Sequence, residues 1–228
     1  MPHENPRSKY DALARKLARA VFLDAKKEGV FELSSPELDA LPQGEEFVGD
    51  PVSHFMAGGN KIPVIGGIKI GLAQEPAITV GGWYHWHEPK AVGVIYHRTR
   101  KLRTIDLQDI AFQTQGVVRH EMEHAMQRAR TTTSCREDRR KPIPKTRRSM
   151  TDIELFRKYY LNRREIEAYA SGIYMRAKKR GVPFADELYE FSLDVEKIAG
   201  ASVPPRMIKD FIDAVEDYAI KRYPKLTE

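Results

Sequence analysis

The spacing of apolar residues changes character along the chain and divides it into helical and extended stretches. From residue 7 to 28, Leu13, Leu17, Ala20, Val21 and Ala25 recur at helical spacing, and Gly29 supplies a stop. The Pro- and Gly-rich stretch from Ser35 to Gly59 breaks that rhythm and reads as irregular with one short helix. Between Lys61 and His97 the segments KIPVIGGIKIGLA, AITVGGWYHWH and AVGVIYHR are rich in β-branched and aromatic residues, which predicts three or four short strands. Arg103–Leu107 is a further strand candidate.

Past Asp106 the helical period returns in Leu107, Ile110, Ala111, Val117, Val118, Met122, Ala125 and Met126. Thr151-Asp152-Ile153-Glu154 has the form of a capping box, so a new helix begins there and continues to Gly181 with a break near Asn162. Helices over Ala185–Ala199 and Pro205–Arg222 close the chain, and Pro205 suits a first helical position. Helix, small sheet and then helices, without βαβ alternation, is an α+β pattern. The chain divides into an N-terminal helix and irregular segment (1–60), a core (61–181) and a C-terminal helical extension (182–228), all within one compact domain.

Composition narrows the classes. Of 228 residues, 41% are hydrophobic, enough for a sizeable core, and 31% are charged. No apolar run reaches bilayer-spanning length, and the N-terminus lacks the apolar stretch of a secretory signal, so a cytoplasmic protein is expected. A virion component or injected effector, which needs no ordinary signal, is the alternative. The single cysteine, Cys135, excludes a disulfide framework and a multi-cysteine zinc site, and reads as an incidental thiol.

The formal charge of +6 is unevenly spread. Between Arg128 and Arg148 stand nine Lys/Arg against two Asp/Glu, an excess of nine minus two, or seven, which leaves the remainder about neutral. With Pro142, Pro144 and a run of threonines, segment 128–149 reads as a basic loop: a solvated connector, or an arm that contacts phosphate, nucleic acid or a protein partner.

Within the central helix lies Val117-Val118-Arg119-His120-Glu121-Met122-Glu123-His124-Ala125-Met126, which contains H-E-x-x-H. Residues four apart share a helix face, so His120 and His124 can direct both imidazoles at one ion. Glu121 stands about 100° further round, beside that ion, where it can take a proton from water as general base. Three specified letters recur by chance about once in a hundred chains of this length. The flanking apolar residues favour chemistry, because a buried helix face does not ordinarily hold histidines and glutamates. A third ligand is still needed. No further histidine follows His124, so the source is a downstream carboxylate, and Asn162-Arg-Arg-Glu165-Ile-Glu167-Ala168-Tyr169-Ala170 offers Glu165 and Glu167. Asn162-x-x-Glu165 can equally cap a helix start.

HEMEH followed by E-x-E-A-x-A resembles the gluzincin class of zinc metallopeptidases, which includes thermolysin-like enzymes, membrane CaaX-type proteases and lethal-factor-type toxins. The resemblance runs from Gly81 to about Arg176. The 41 residues from His124 to Glu165 are closer to the toxin-like branch than to thermolysin. The chain also resembles small metallopeptidase-like proteins of bacteriophage genomes.

The resemblance implies a zincin-like core: a small, mostly antiparallel sheet on the HExxH helix, with a second helix bearing the remaining ligand. It implies a Zn2+ ion held by His120, His124 and Glu165, since the wider pattern E-x-x-A-x-A puts Glu165 in the ligand place. It further implies peptide-bond hydrolysis with Glu121 as general base and a protein or peptide as substrate. Such enzymes commonly use a Tyr or His as donor to the developing oxyanion, and Tyr160 is the candidate, the other reading being an aromatic packed beside Phe156. An acidic residue that usually orients a histidine is replaced by Tyr169, so Glu123 or another carboxylate takes that part. A strand ahead of the histidine helix pairs with extended substrate, for which Ala91–Tyr96 is the candidate. His85 and His87, on one strand face, form a second metal site, a substrate edge or an ordinary half-exposed strand. The competing functional expectation is a non-enzymatic structural or interaction protein, such as a virion component, that keeps a zincin-like fold.

Overall fold

The structure is a computed structural model and describes residues 6–31, 46–70, 78–85, 90–98, 107–131, 151–199, 201–223 and 226. Among these, six helices and a four-stranded mixed sheet form an α+β fold: α1 (Pro6–Lys27), β1 (Glu46–Ala57), β2 (Asn60–Ile70), β3 (Ile78–His85), β4 (Ala91–Arg98), α2 (Leu107–Thr131), α3 (Asp152–Tyr159), α4 (Arg163–Arg180), α5 (Phe184–Ala199) and α6 (Pro205–Arg222). The chain separates into two compact units, 1–125 and 126–228, and the division falls inside α2.

In the first unit the strand order is β1-β2-β4-β3. β1 pairs antiparallel with β2, β4 runs parallel to β2, and β3 closes the far edge antiparallel to β4. Two of the three pairings are thus antiparallel, as expected, but β1 replaces the irregular segment anticipated across residues 46–57. Its pairing with β2 shifts register on either side of Pro51, so the proline sits at an irregularity of an edge strand, where it removes no ladder bond that the sheet needs. Those interruptions erase the alternation that would have marked the strand. Gly58 and Gly59, both at positive φ, turn β1 into β2, a conformation that favours glycine at both positions of a two-residue hairpin loop.

One sheet face carries Phe55, Ile62, Val64, Ile68, Val92, Val94 and Tyr96, all buried. Against it lies α1 with Ala14, Leu17, Ala18, Val21 and Ala25 inward, and Val21 meets the sheet over Gly66. α2 covers the same face with Ile110, Val118, Met122 and Ala125, and the Tyr96 hydroxyl reaches Thr114 Oγ1 at 3.2 Å. α2 also buries polar groups. Arg119, fully buried, donates from Nε to Asp11 of α1 (3.1 Å) and from Nη1 to Glu123 (2.9 Å), so two carboxylates neutralise one guanidinium inside the unit.

The second unit is helical. Thr151 and Glu154 form the expected capping box at the start of α3. Asn162 caps α4 by accepting from the Arg164 amide at 2.9 Å, and Gly181 ends α4 in the left-handed conformation. Phe211 of α6, fully buried, is ringed by Phe156, Tyr160, Tyr169 and Phe191 with centroids 5.3–6.2 Å away. Glu187 of α5 is buried, and Arg176 and Arg180, one turn apart on α4, both bond to it. That pairing fixes α5 against α4.

The strand candidate at 103–106, the residues of 128–149 beyond the end of α2, Cys135, and Trp86 to Glu88 lie outside the described residues. No described helix is long and apolar enough to cross a membrane.

Candidate metal centre

His120 and His124 stand one turn apart on α2, as their spacing requires, with both imidazoles half-buried. Their Nε2 atoms are 3.0 Å apart and the rings meet edge to face. Two donors bound at ~2.0–2.1 Å to one tetrahedral ion would stand roughly 3.3 Å apart, so the pair already has close to the separation a shared ion demands. Glu165, in the first turn of α4, completes the group: one ligand atom from each of His120, His124 and Glu165 lies within 4.8 Å of the others. Among the described residues this is the one cluster of three or more metal-ligating side chains. Two imidazoles and a carboxylate suit zinc, and three protein ligands leave a fourth position open for water or substrate.

The two glutamates have different surroundings. Glu167 accepts from Gln127 Nε2 at 3.2 Å and from Arg163 Nε at 3.1 Å, while Gln127 also donates to the Arg164 carbonyl at 3.0 Å. Gln127 lies one turn beyond His124 on α2, so these bonds tie the end of α2 to the start of α4. They engage Glu167 there, and Glu165 is the glutamate in the group with the histidines.

Compared with known protein families, with curated proteins and with solved structures, the chain matches none of them.

Glu121 is nearly buried, with Oε1 3.9 Å from His120 Nε2. Its other neighbour is a strand. A methyl group built on Gly82 of β3 would overlap Val117 and come within 3.0 Å of Glu121 Cγ and 3.1 Å of its Oε1. The backbone of β3 therefore passes directly against the side chains of Val117 and Glu121, an approach that only glycine permits. This contact was missed in the sequence, although the Gly81-Gly82 doublet inside a strand pattern was its signal. The assignment of Ala91–Tyr96 as a substrate-pairing strand is corrected by the topology: β4 is hydrogen-bonded to β2 on one side and β3 on the other, so its backbone is already used. The edge strands of the described sheet are β1 and β3, and β3 is the one beside Glu121.

Tyr160 packs as an aromatic, stacked on Phe156 at 4.7 Å and on Tyr169 at 5.7 Å. Burial pushes its pKa above the ordinary phenol value, a hydrogen bond with Tyr169 opposes that, and the nearby Glu165 charge adds to the rise. Its proton stays on at neutral pH. Glu123 is turned to Arg119. His85, exposed at the end of β3, has Trp83 edge to face at 6.2 Å.

Proposed function

We propose that the protein is a zinc-dependent metallopeptidase in which His120, His124 and Glu165 hold the ion and Glu121 is the general base. The observation that carries this reading is the convergence of two imidazole nitrogens and one carboxylate, with a second, nearly buried carboxylate beside them. A zinc ion bound there would act as a Lewis acid towards the scissile carbonyl and lower the pKa of water towards ~7.

The rest of the chemistry belongs to the chain. Glu121 accepts the proton of the attacking water and passes it to the leaving amine, work that typically contributes 10²–10⁴-fold in rate. Its burial and its contact with the β3 backbone hold the carboxylate in one place. Tyr160, packed among aromatic rings and near enough to Glu165 to be raised by its charge, keeps its proton and is the donor we assign to the developing oxyanion. β3, the edge strand beside Glu121, pairs with an extended peptide by strand addition.

Metal analysis of purified protein and assays on unfolded protein substrates test the proposal together. One equivalent of zinc, lost in His120→Ala with His124→Ala, and turnover abolished by Glu121→Gln with zinc retained, are the expected results. Full occupancy in the double alanine variant would overturn the site. Stoichiometric zinc without turnover on any substrate would leave the non-enzymatic reading, a structural or interaction protein with a bound metal.

A further inference from the structure

α1 presents a second charged feature, separate from the basic loop. Taking about 100° per residue, its buried residues Ala14, Leu17, Ala18, Val21 and Ala25 fill one arc, and the residues exposed on the helix occupy an arc of about 120° opposite. That exposed arc holds Ala12, Arg15, Lys16, Arg19, Leu23, Lys26 and Lys27. Five of these seven are cations and none is acidic. The acids of α1 lie elsewhere: Asp11 is buried against Arg119, and Asp24 is half-buried outside the arc. None of the five cations forms an ion pair with a described residue. The near-neutral average outside the loop had concealed this stripe, because the compensating acids lie on other elements.

We propose that this face of α1 docks the phosphate backbone of duplex nucleic acid. From Arg15 to Lys27 the helix rises about 18 Å, and a nucleic-acid strand carries one phosphate per ~3.4 Å of axis, so the stripe spans about five phosphates with five cations. A rigid helix packed on a sheet presents these charges in a fixed line, which suits a stiff polyanion of regular spacing. Two alternatives fit less well. Insertion into a membrane interface needs large apolar side chains on the outward face, and the arc offers only Leu23, 49% exposed, among charges. Single strands are held by stacking on aromatic rings, and the arc has none. Contacts limited to phosphate make the docking independent of base sequence. The inference is independent of the metallopeptidase reading.

Fluorescence anisotropy of a labelled duplex DNA across a salt series tests it with the full-length protein. Five phosphate contacts imply a slope of log K against log salt of about −4.5. The R15Q/R19Q/K26Q variant alters exposed side chains only, so its circular dichroism and melting should match the parent, while its slope becomes shallower by about 2.7. The same change should persist when R136Q/R139Q/R140Q removes charge from the basic loop, which separates the two regions. An unchanged slope in the α1 variant, no duplex binding at low salt, or binding to phosphatidylserine vesicles without binding to DNA would each overturn the proposal.

Discussion

At the scale of single residues, the candidate site depends on close approaches that small changes disturb. Gly82→Ala adds one methyl group where Val117 and Glu121 already fill the space. Because the near atoms belong to a packed helix, the expected cost is about 1–3 kcal/mol, the range for overpacking, read as a lower urea midpoint. Turnover should fall further than stability explains, since Glu121 is one of the displaced groups. Arg119→Ala tests the other side of the same helix. It would remove the ion pairs to the buried Asp11 and Glu123 carboxylates, and truncating one partner of a buried network typically costs about 3–5 kcal/mol. A variant that loses less than about 1 kcal/mol would show that water reaches those carboxylates.

At the scale of elements, Asn162 links local chain chemistry to the candidate ligand. Its side chain caps α4, and Glu165 stands in the turn so capped. Asn162→Ala should cost about 0.5–2 kcal/mol as a lost cap and should weaken zinc affinity in a chelator competition. Unchanged affinity would mean that Gln127 alone, through its bond to the Arg164 carbonyl, sets this turn. The cap, the capping box at Thr151 and the ends of α4, α5 and α6 were legible because each rests on residues within one turn of one another. β1 was not legible, since Pro51 and the register shifts on either side of it break its alternation, even though a two-residue turn joins it to β2. The edge position of β3 was likewise hidden: strand order is decided by pairing between distant segments, and the chain order β3 then β4 does not reveal that β4 inserts beside β2. Of the site, the histidines were readable from their spacing, whereas the bond from Gln127 to Glu167 joins residues 40 apart in the chain.

At the scale of the whole molecule, two phenols with raised pKa values, buried Tyr96 in the first unit and half-buried Tyr160 in the second, set an alkaline limit to stability. Burial raises Tyr96 well above the ordinary phenol value, its hydrogen bond with Thr114 opposes this, and the Asp24 charge adds to it. Tyr160 is raised in the same direction by burial, opposed by Tyr169 and reinforced by Glu165. A group whose folded pKa exceeds its unfolded value contributes stability that is fully present below about pH 10 and lost as pH rises towards the folded pKa. Over that interval the unfolded chain releases a proton that the folded chain keeps. Stability should therefore fall by about 1.4 kcal/mol per pH unit for Tyr96, and by less for the half-buried Tyr160, whose charge solvent screens. Urea unfolding between pH 9 and 11.5, with absorbance at 295 nm to follow phenolate, reads both effects: the two phenols should ionise with unfolding rather than before it. Tyr96→Phe removes the steeper contribution and leaves that of Tyr160. An identical alkaline slope in Tyr96→Phe would show that the Tyr96 hydroxyl reaches solvent before its unit opens.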